Sequence, residues 1–129
     1  MRLLVDTHLL LWAVAQSDRL PPEVAVLLED ASNQVYCSTA SLWEIAIKAG
    51  LRRSDFQADL PALRAALPEM AIEELPITGN HTETLIELPP IHKDPFDRML
   101  IAQSMREPLL LLTNDAILAR YWDGVMLVN

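Results

Sequence analysis

Leu3-Leu4-Val5-Asp6-Thr7-His8-Leu9-Leu10-Leu11-Trp12-Ala13-Val14-Ala15 opens with a strand that is apolar at every position, passes one acid, and continues as an apolar helix over Leu9–Ala15. A strand without polar alternation is buried on both faces, the mark of a parallel sheet covered by helices. The same order recurs along the chain. Gln34–Cys37 reads as a strand followed by a helix over Ser41–Ala49, with Gly50 ending it as the favoured residue just past a helix. Leu109–Leu112 reads as a strand, Ala116–Tyr121 as a short helix and Val125–Val128 as the last strand. Between them, Pro21-Pro22 open a helix with Val24, Leu27 and Leu28 on one face. Leu60–Leu67 is helical, Ala71–Glu74 extended, Asn80–Leu88 helical up to the break at Pro89-Pro90, and Pro95–Arg106 a further helix. The expectation is a single domain over residues 1–129: a three-layer α/β/α sandwich with right-handed crossovers. Such sheets bind ligands beyond the carboxyl ends of their strands, where strand order reverses. The residues just after each strand therefore carry the functional question.

The composition narrows the chemistry. With 129 residues, 51% hydrophobic and 22% charged, the chain can bury one core and is not disordered as a whole. The single cysteine, Cys37, excludes an internal disulfide and a cysteine-rich zinc site. His8, His81 and His92 lie at no zinc-cluster spacing, and none of Gly50, Gly79 and Gly124 belongs to a glycine-rich phosphate loop. The longest apolar run, Leu9 to Ala15, is too short to span a bilayer, and Asp6 interrupts any signal-peptide core. A cytoplasmic protein without a membrane contact is expected. Eighteen acidic against ten basic side chains give a formal charge of −8, which argues against charge-driven nucleic-acid binding. Nucleic acid as a substrate stays open if metal ions and a local basic patch carry the contact; plain solubility is the simpler reading of the acidity.

Four acids stand at junctions or helix starts: Asp6 after the first strand, Glu44 one turn into the helix after Gln34–Cys37, Asp97 in the first turn of Pro95–Arg106, and Asp115 in Thr113-Asn114-Asp115. Each has a structural reading. Asp6 and Asp115 suit N-caps, Ser41-Leu42-Trp43-Glu44 fits a capping box, and Asp94-Pro95 reads as cap and first helical residue ahead of a dipole-favoured Asp97. Jointly they read differently. If the strand ends converge, like charges about 4 Å apart cost about 4 kcal/mol at an effective dielectric of 20. A cap returns only about 0.5–2 kcal/mol. A divalent cation reverses that balance, and oxygen ligands select Mg²⁺ or Mn²⁺ over zinc. Mg²⁺ keeps several waters, so Asp6 and Asp97 are expected as direct ligands, with Glu44 and Asp115 acting through water or at a second ion. An acid-only metal site suits phosphodiester hydrolysis by activated water, with no covalent nucleophile on the protein.

Leu4-Val5-Asp6-Thr7-His8, Ser41-Leu42-Trp43-Glu44-Ile45, Asp94-Pro95-Phe96-Asp97-Arg98 and Thr113-Asn114-Asp115, taken in order, resemble the motifs of PIN-domain ribonucleases, and more closely the VapC-type toxins of bacterial toxin–antitoxin pairs. The resemblance runs from residue 3 to about residue 127. It implies a five-stranded parallel sheet flanked by helices and a Mg²⁺-dependent endoribonuclease. It also implies that Asp6, Glu44, Asp97 and Asp115 form an acidic metal pocket beside Thr7, Ser38 and Thr113. A cognate antitoxin covering the pocket and a homodimer are implied as partners. Between Asp94 and Asp97, the family pattern selects Asp97 as the ligand and leaves Asp94 as the cap.

Lys48, Arg52 and Arg53 lie on or just beyond the helix of Glu44 and form either a basic rim for RNA phosphates or a solvated face with one Glu44–Lys48 pair. Arg98 either binds phosphate or braces a carboxylate, and bracing is the expectation. Trp12 and Trp43 are expected in the core, since each sits in an apolar run. His8 and His92 read either as acids or RNA contacts or as structural residues, and the structural role is the expectation. Surplus apolar surface on the first two helices fits a dimer interface, an antitoxin groove or simple core packing. Two other classes remain in play: a phospho-acceptor signalling domain, which would want adjacent acids and a strand-end lysine, and a non-catalytic binding module whose acids are all caps.

Overall fold

A computed structural model describes residues 1–51 and 58–129. Five strands form one parallel sheet: β1 (Arg2–Val5), β2 (Gln34–Ser38), β3 (Ile72–Leu75), β4 (Leu110–Thr113) and β5 (Val125–Leu127), in the order β3-β2-β1-β4-β5. Among the described residues, six helices flank it: α1 (Thr7–Val14), α2 (Pro22–Glu29), α3 (Thr39–Gly50), α4 (Leu60–Glu69), α5 (Gly79–Glu87) and α6 (Pro95–Arg106). A short 3-10 helix, Leu118–Arg120, stands where the longer helix over Ala116–Tyr121 is expected.

Successive side chains of a strand point to opposite faces, and here each face has its own core. Leu3, Val5, Val35, Cys37 and Leu112 pack with Leu9 and Leu10 of α1, Val24 of α2, Leu42 and Ile45 of α3, and Leu63 and Leu67 of α4. Leu4 and Leu111 pack on the other face with Leu100, Ile101 and Ala102 of α6, joined by Leu88 and Leu118. A strand serving both cores has no face left for a polar residue, which is why β1 and β4 carry unbroken leucine and valine runs. No described helix is long and apolar enough to cross a membrane.

Strand order positions the site. The chain lays β2 and β3 on one side of β1, then crosses over to place β4 and β5 on the other. The β1–β4 boundary is therefore the point where strand order reverses. Val5 is level with Cys37 of β2 and with Leu112 of β4. One residue further, Asp6 falls between Ser38 and Thr113.

Local chemistry corrects two helix boundaries. α3 starts at Thr39, because Ser38 is extended and its hydroxyl accepts the Ala40 N–H at 2.9 Å. The capping box expected from Ser41 to Glu44 does not form: Ser41 is buried inside the first turn and accepts a hydrogen bond from the Thr7 hydroxyl at 2.9 Å. Gly50 does not end α3 by a left-handed turn, since it lies within the helix, no glycine has positive φ, and Leu51 is the cap.

Candidate active site

Asp6 caps α1, with Oδ1 accepting the Leu9 N–H at 2.9 Å. Its Oδ2 accepts the hydroxyl of Thr113, the last residue of β4, at 2.5 Å. The same Thr113 oxygen accepts the N–H of Asp115 at 3.0 Å, and Asp115 Oδ1 accepts that of Ile117 at 2.9 Å. One buried hydroxyl thus ties the two strand-end acids together. Glu44, 3% exposed, points inward from the second turn of α3, and its Oε2 pairs with Lys48 Nζ at 2.5 Å. Its Oε1 is buried and accepts no hydrogen bond. Asp94 caps α6, taking the N–H groups of Phe96 and Asp97 at 2.8 and 3.1 Å. That leaves the Asp97 carboxylate for His92, whose Nε2 lies 2.9 Å from Asp97 Oδ2 and 3.9 Å from Asp115 Oδ2.

All four expected acids line one cleft of about 370 Å³, together with Thr7, His8, Lys48, Asp94 and Asn114. They come from α1's cap, α3, α6 and the loop after β4, so only the assembled sheet brings them together. Ser38 and Thr113 are fully buried beneath it, as helix cap and carboxylate tie respectively. Arg98 Nη1 donates to Pro89 O at 3.0 Å and to Tyr121 Oη at 3.2 Å, so it braces the loop and Tyr121 rather than a carboxylate. Arg52 and Arg53 lie outside the described residues.

Crowding the acids perturbs them. Burial raises the Asp6 pKa against the opposing hydrogen bonds from Thr113 and Leu9. Burial, then the neighbouring Asp94 and Glu44, push Asp97 up to about 7, with His92 acting the other way. The residues fit a divalent cation. Hard carboxylate oxygens dominate, Glu44 Oε1 has no hydrogen-bond donor, and desolvated negative charge outweighs the nearby ammonium. The purely structural reading accounts for Asp6, Asp94 and Asp115 as caps, but it leaves Glu44 and Asp97 without a capping role. A phospho-acceptor arrangement fares no better, because the lysine lining the cleft comes from α3 and is held by Glu44.

Two sequence expectations fail here. Trp43 is 60% exposed and meets Phe96 edge-on at 5.1 Å. Glu44 takes the inward direction on α3, so its immediate neighbour is turned about 100° away. His92 does not line the cleft itself but stands against two of its acids, forming with Asp97 and Asp115 a group whose ligand atoms lie within 4.8 Å of one another. Its place five residues before Asp97, in a proline-bounded loop, is the only sign the sequence offers. Trp12 is partly buried against the first core, as expected.

Comparison with known proteins bears on this geometry. The structure is similar to VapBC2 from Rickettsia felis bound to a promoter DNA fragment, at 16% identity and TM-score 0.72, covering 100% of this chain and 98% of that one. It is similar to a toxin–antitoxin complex from Klebsiella pneumoniae at 18% identity and TM-score 0.63, over 95% of this chain and 94% of that one. It also resembles a domain of a functionally unknown protein from Methanocaldococcus jannaschii at 15% identity and TM-score 0.61, over 99% and 91%. At these identities the likeness concerns the fold. No curated protein matches the sequence. Residues 3–122 match the PIN domain, a family whose members are typically nucleases that bind divalent metal. With the strand order and the strand-end acids already in place, the chain belongs to the PIN-domain family.

Proposed function

We propose that this protein is a metal-dependent endoribonuclease that hydrolyses RNA phosphodiester bonds, and that it acts as the toxin of a toxin–antitoxin pair. The observation that carries the reading is the convergence of Asp6, Glu44, Asp97 and Asp115 on one cleft, with a buried Glu44 oxygen that accepts no hydrogen bond. Asp6 and Asp97 would hold Mg²⁺, or Mn²⁺ in its place, directly; Glu44 and Asp115 would act through water or at a second ion. A bound ion would supply Lewis acidity to a phosphate oxygen and lower the pKa of the attacking water. The chain's own contribution is orientation. Thr113 and the Leu9 N–H hold both Asp6 oxygens, Asp94 relieves Asp97 of capping, and Lys48 pairs with one Glu44 oxygen.

The toxin role draws on the resemblance of the sequence motifs to VapC-type toxins and on the fold shared with VapBC2 and with a toxin–antitoxin complex, and it implies a cognate antitoxin and a homodimer as partners. Lys48, Arg52 and Arg53 are the proposed contacts for RNA phosphates, with Thr7 supporting the acids from the cleft wall. The test is cleavage of a fluorophore-labelled single-stranded RNA by the purified chain with Mg²⁺, with EDTA, and with Asp6→Asn. EDTA should stop the reaction, and the variant should lose more than about 100-fold. Parental cleavage by Asp6→Asn would refute the site.

A further inference from the structure

We infer that His92 is a ligand of the bound cation, and that its nitrogen makes this cleft favour Mn²⁺ over Mg²⁺. The inference rests on the reading of the cleft as a divalent-metal site. The three candidate donor atoms are His92 Nε2, Asp97 Oδ2 and Asp115 Oδ2, the set that would hold the second ion, where Asp115 would bind directly. Nε2 lies 2.9 Å from the first oxygen and 3.9 Å from the second. Around an ion with bonds of about 2.1 Å, octahedral neighbours stand about 3.0 Å apart and opposite ligands about 4.2 Å apart. The shorter distance matches neighbouring ligands, and the longer lies between the two values, within the span of a single ion. A hydrogen bond from His92 to Asp97 explains only the shorter one, because 3.9 Å to Asp115 is beyond hydrogen-bond range.

The imidazole is also held in place. The His92 N–H donates to Tyr121 Oη at 2.8 Å. Arg98 Nη1 donates to the same oxygen at 3.2 Å and to Pro89 O at 3.0 Å. The loop before α6 is thereby clamped to Tyr121, with its ring nitrogen facing two carboxylates. To hold an ion, Nε2 would give up the proton that it shares with Asp97, either to solvent or through solvent to Nδ1, and its lone pair and the Asp97 carboxylate would then both be free for the metal. Mg²⁺ takes hard oxygen ligands, whereas imidazole suits transition ions, so a mixed nitrogen–oxygen set shifts selection towards Mn²⁺.

Pulsed electron paramagnetic resonance of the Mn²⁺-loaded full chain reads a directly bound imidazole through its ¹⁴N coupling. The expected result is a histidine coupling in the parent that disappears in His92→Asn, which also separates His92 from His8 on the cleft wall. Mn²⁺ affinity should fall about tenfold or more in that variant while Mg²⁺ affinity changes less than about threefold. Tyr121→Phe, which keeps the ring but removes the clamp, should retain the coupling with Mn²⁺ affinity weakened several-fold. Mn²⁺ bound without nitrogen coupling, or equal loss of both ions in His92→Asn, would overturn the inference and leave the cleft a metal site. Absence of Mn²⁺ binding at millimolar concentration would overturn both this inference and the reading beneath it.

Discussion

Replacing Asp97 with asparagine keeps the side chain's shape and an acceptor for His92 while removing a charge that the fold holds at a cost. Burial and the nearby Asp94 and Glu44 lift Asp97 from 3.8 to about 7. Between those values the folded chain retains a proton that the unfolded chain has released, so stability falls as pH rises through the window. The penalty is complete above pH 7. Three units at about 1.4 kcal/mol each set a ceiling of about 4 kcal/mol. The side chain is 22% exposed, and the His92 interaction is reduced in the variant, so the expected gain for Asp97→Asn is about 2–3 kcal/mol at pH 8 in EDTA. At pH 4 the folded carboxyl is protonated and the unfolded one about half so, and the gain should shrink to well under about 1 kcal/mol. Saturating divalent ion should narrow the gap from the other side, because only the intact site gains binding energy, about 2.7 kcal/mol at a hundred times Kd. Urea denaturation followed by tryptophan fluorescence at pH 4 and pH 8, with EDTA and with Mg²⁺, measures all three. A variant no more stable than the parent at pH 8 in EDTA would refute the argument that crowded, desolvated charge at Asp97 opposes folding and awaits a cation.

Thr113→Val keeps the volume but removes the bond to Asp6 Oδ2 and the acceptor for the Asp115 N–H, so it should cost about 2–4 kcal/mol and weaken Mn²⁺ binding. Unchanged stability in urea would show that the hydroxyl does not tie the two strands' acids. Gly124→Ala would place a methyl 2.2 Å from the Trp122 ring, whose Nε1 donates to Ser104 Oγ at 3.2 Å. The expected cost is about 1–3 kcal/mol with a shift in tryptophan emission, and a variant with neither would mean that the ring does not lie over Gly124.

The parts of this protein that are written locally are legible in its sequence. Leu3-Leu4-Val5 and Leu110-Leu111-Leu112 are apolar at consecutive positions because each strand feeds two cores, and that pattern specifies a parallel sheet. The acids were visible for the same reason, since each follows a strand or opens a helix. Competing local signals misled where they were close in strength. Ser41 reads as the cap in sequence, and the extended backbone at Ser38 gives that place to Ser38 instead. Trp43 looks apolar in sequence, yet the face of α3 that turns inward belongs to Glu44. His92 carries little local signal beyond its place before Asp97, because its meaning lies in two carboxylates, one of them 23 positions further along.

Residue type and periodicity settled that this chain builds a helix-covered parallel sheet with carboxylates at its strand ends, because those preferences act over a few residues. Whether the carboxylates meet was decided by strand order. β4 returns beside β1, which brings Thr113 within 2.5 Å of Asp6 across 107 positions of chain. Contacts at that separation follow from how whole elements pack, and the same side chains on a sheet of different order would remain ordinary caps.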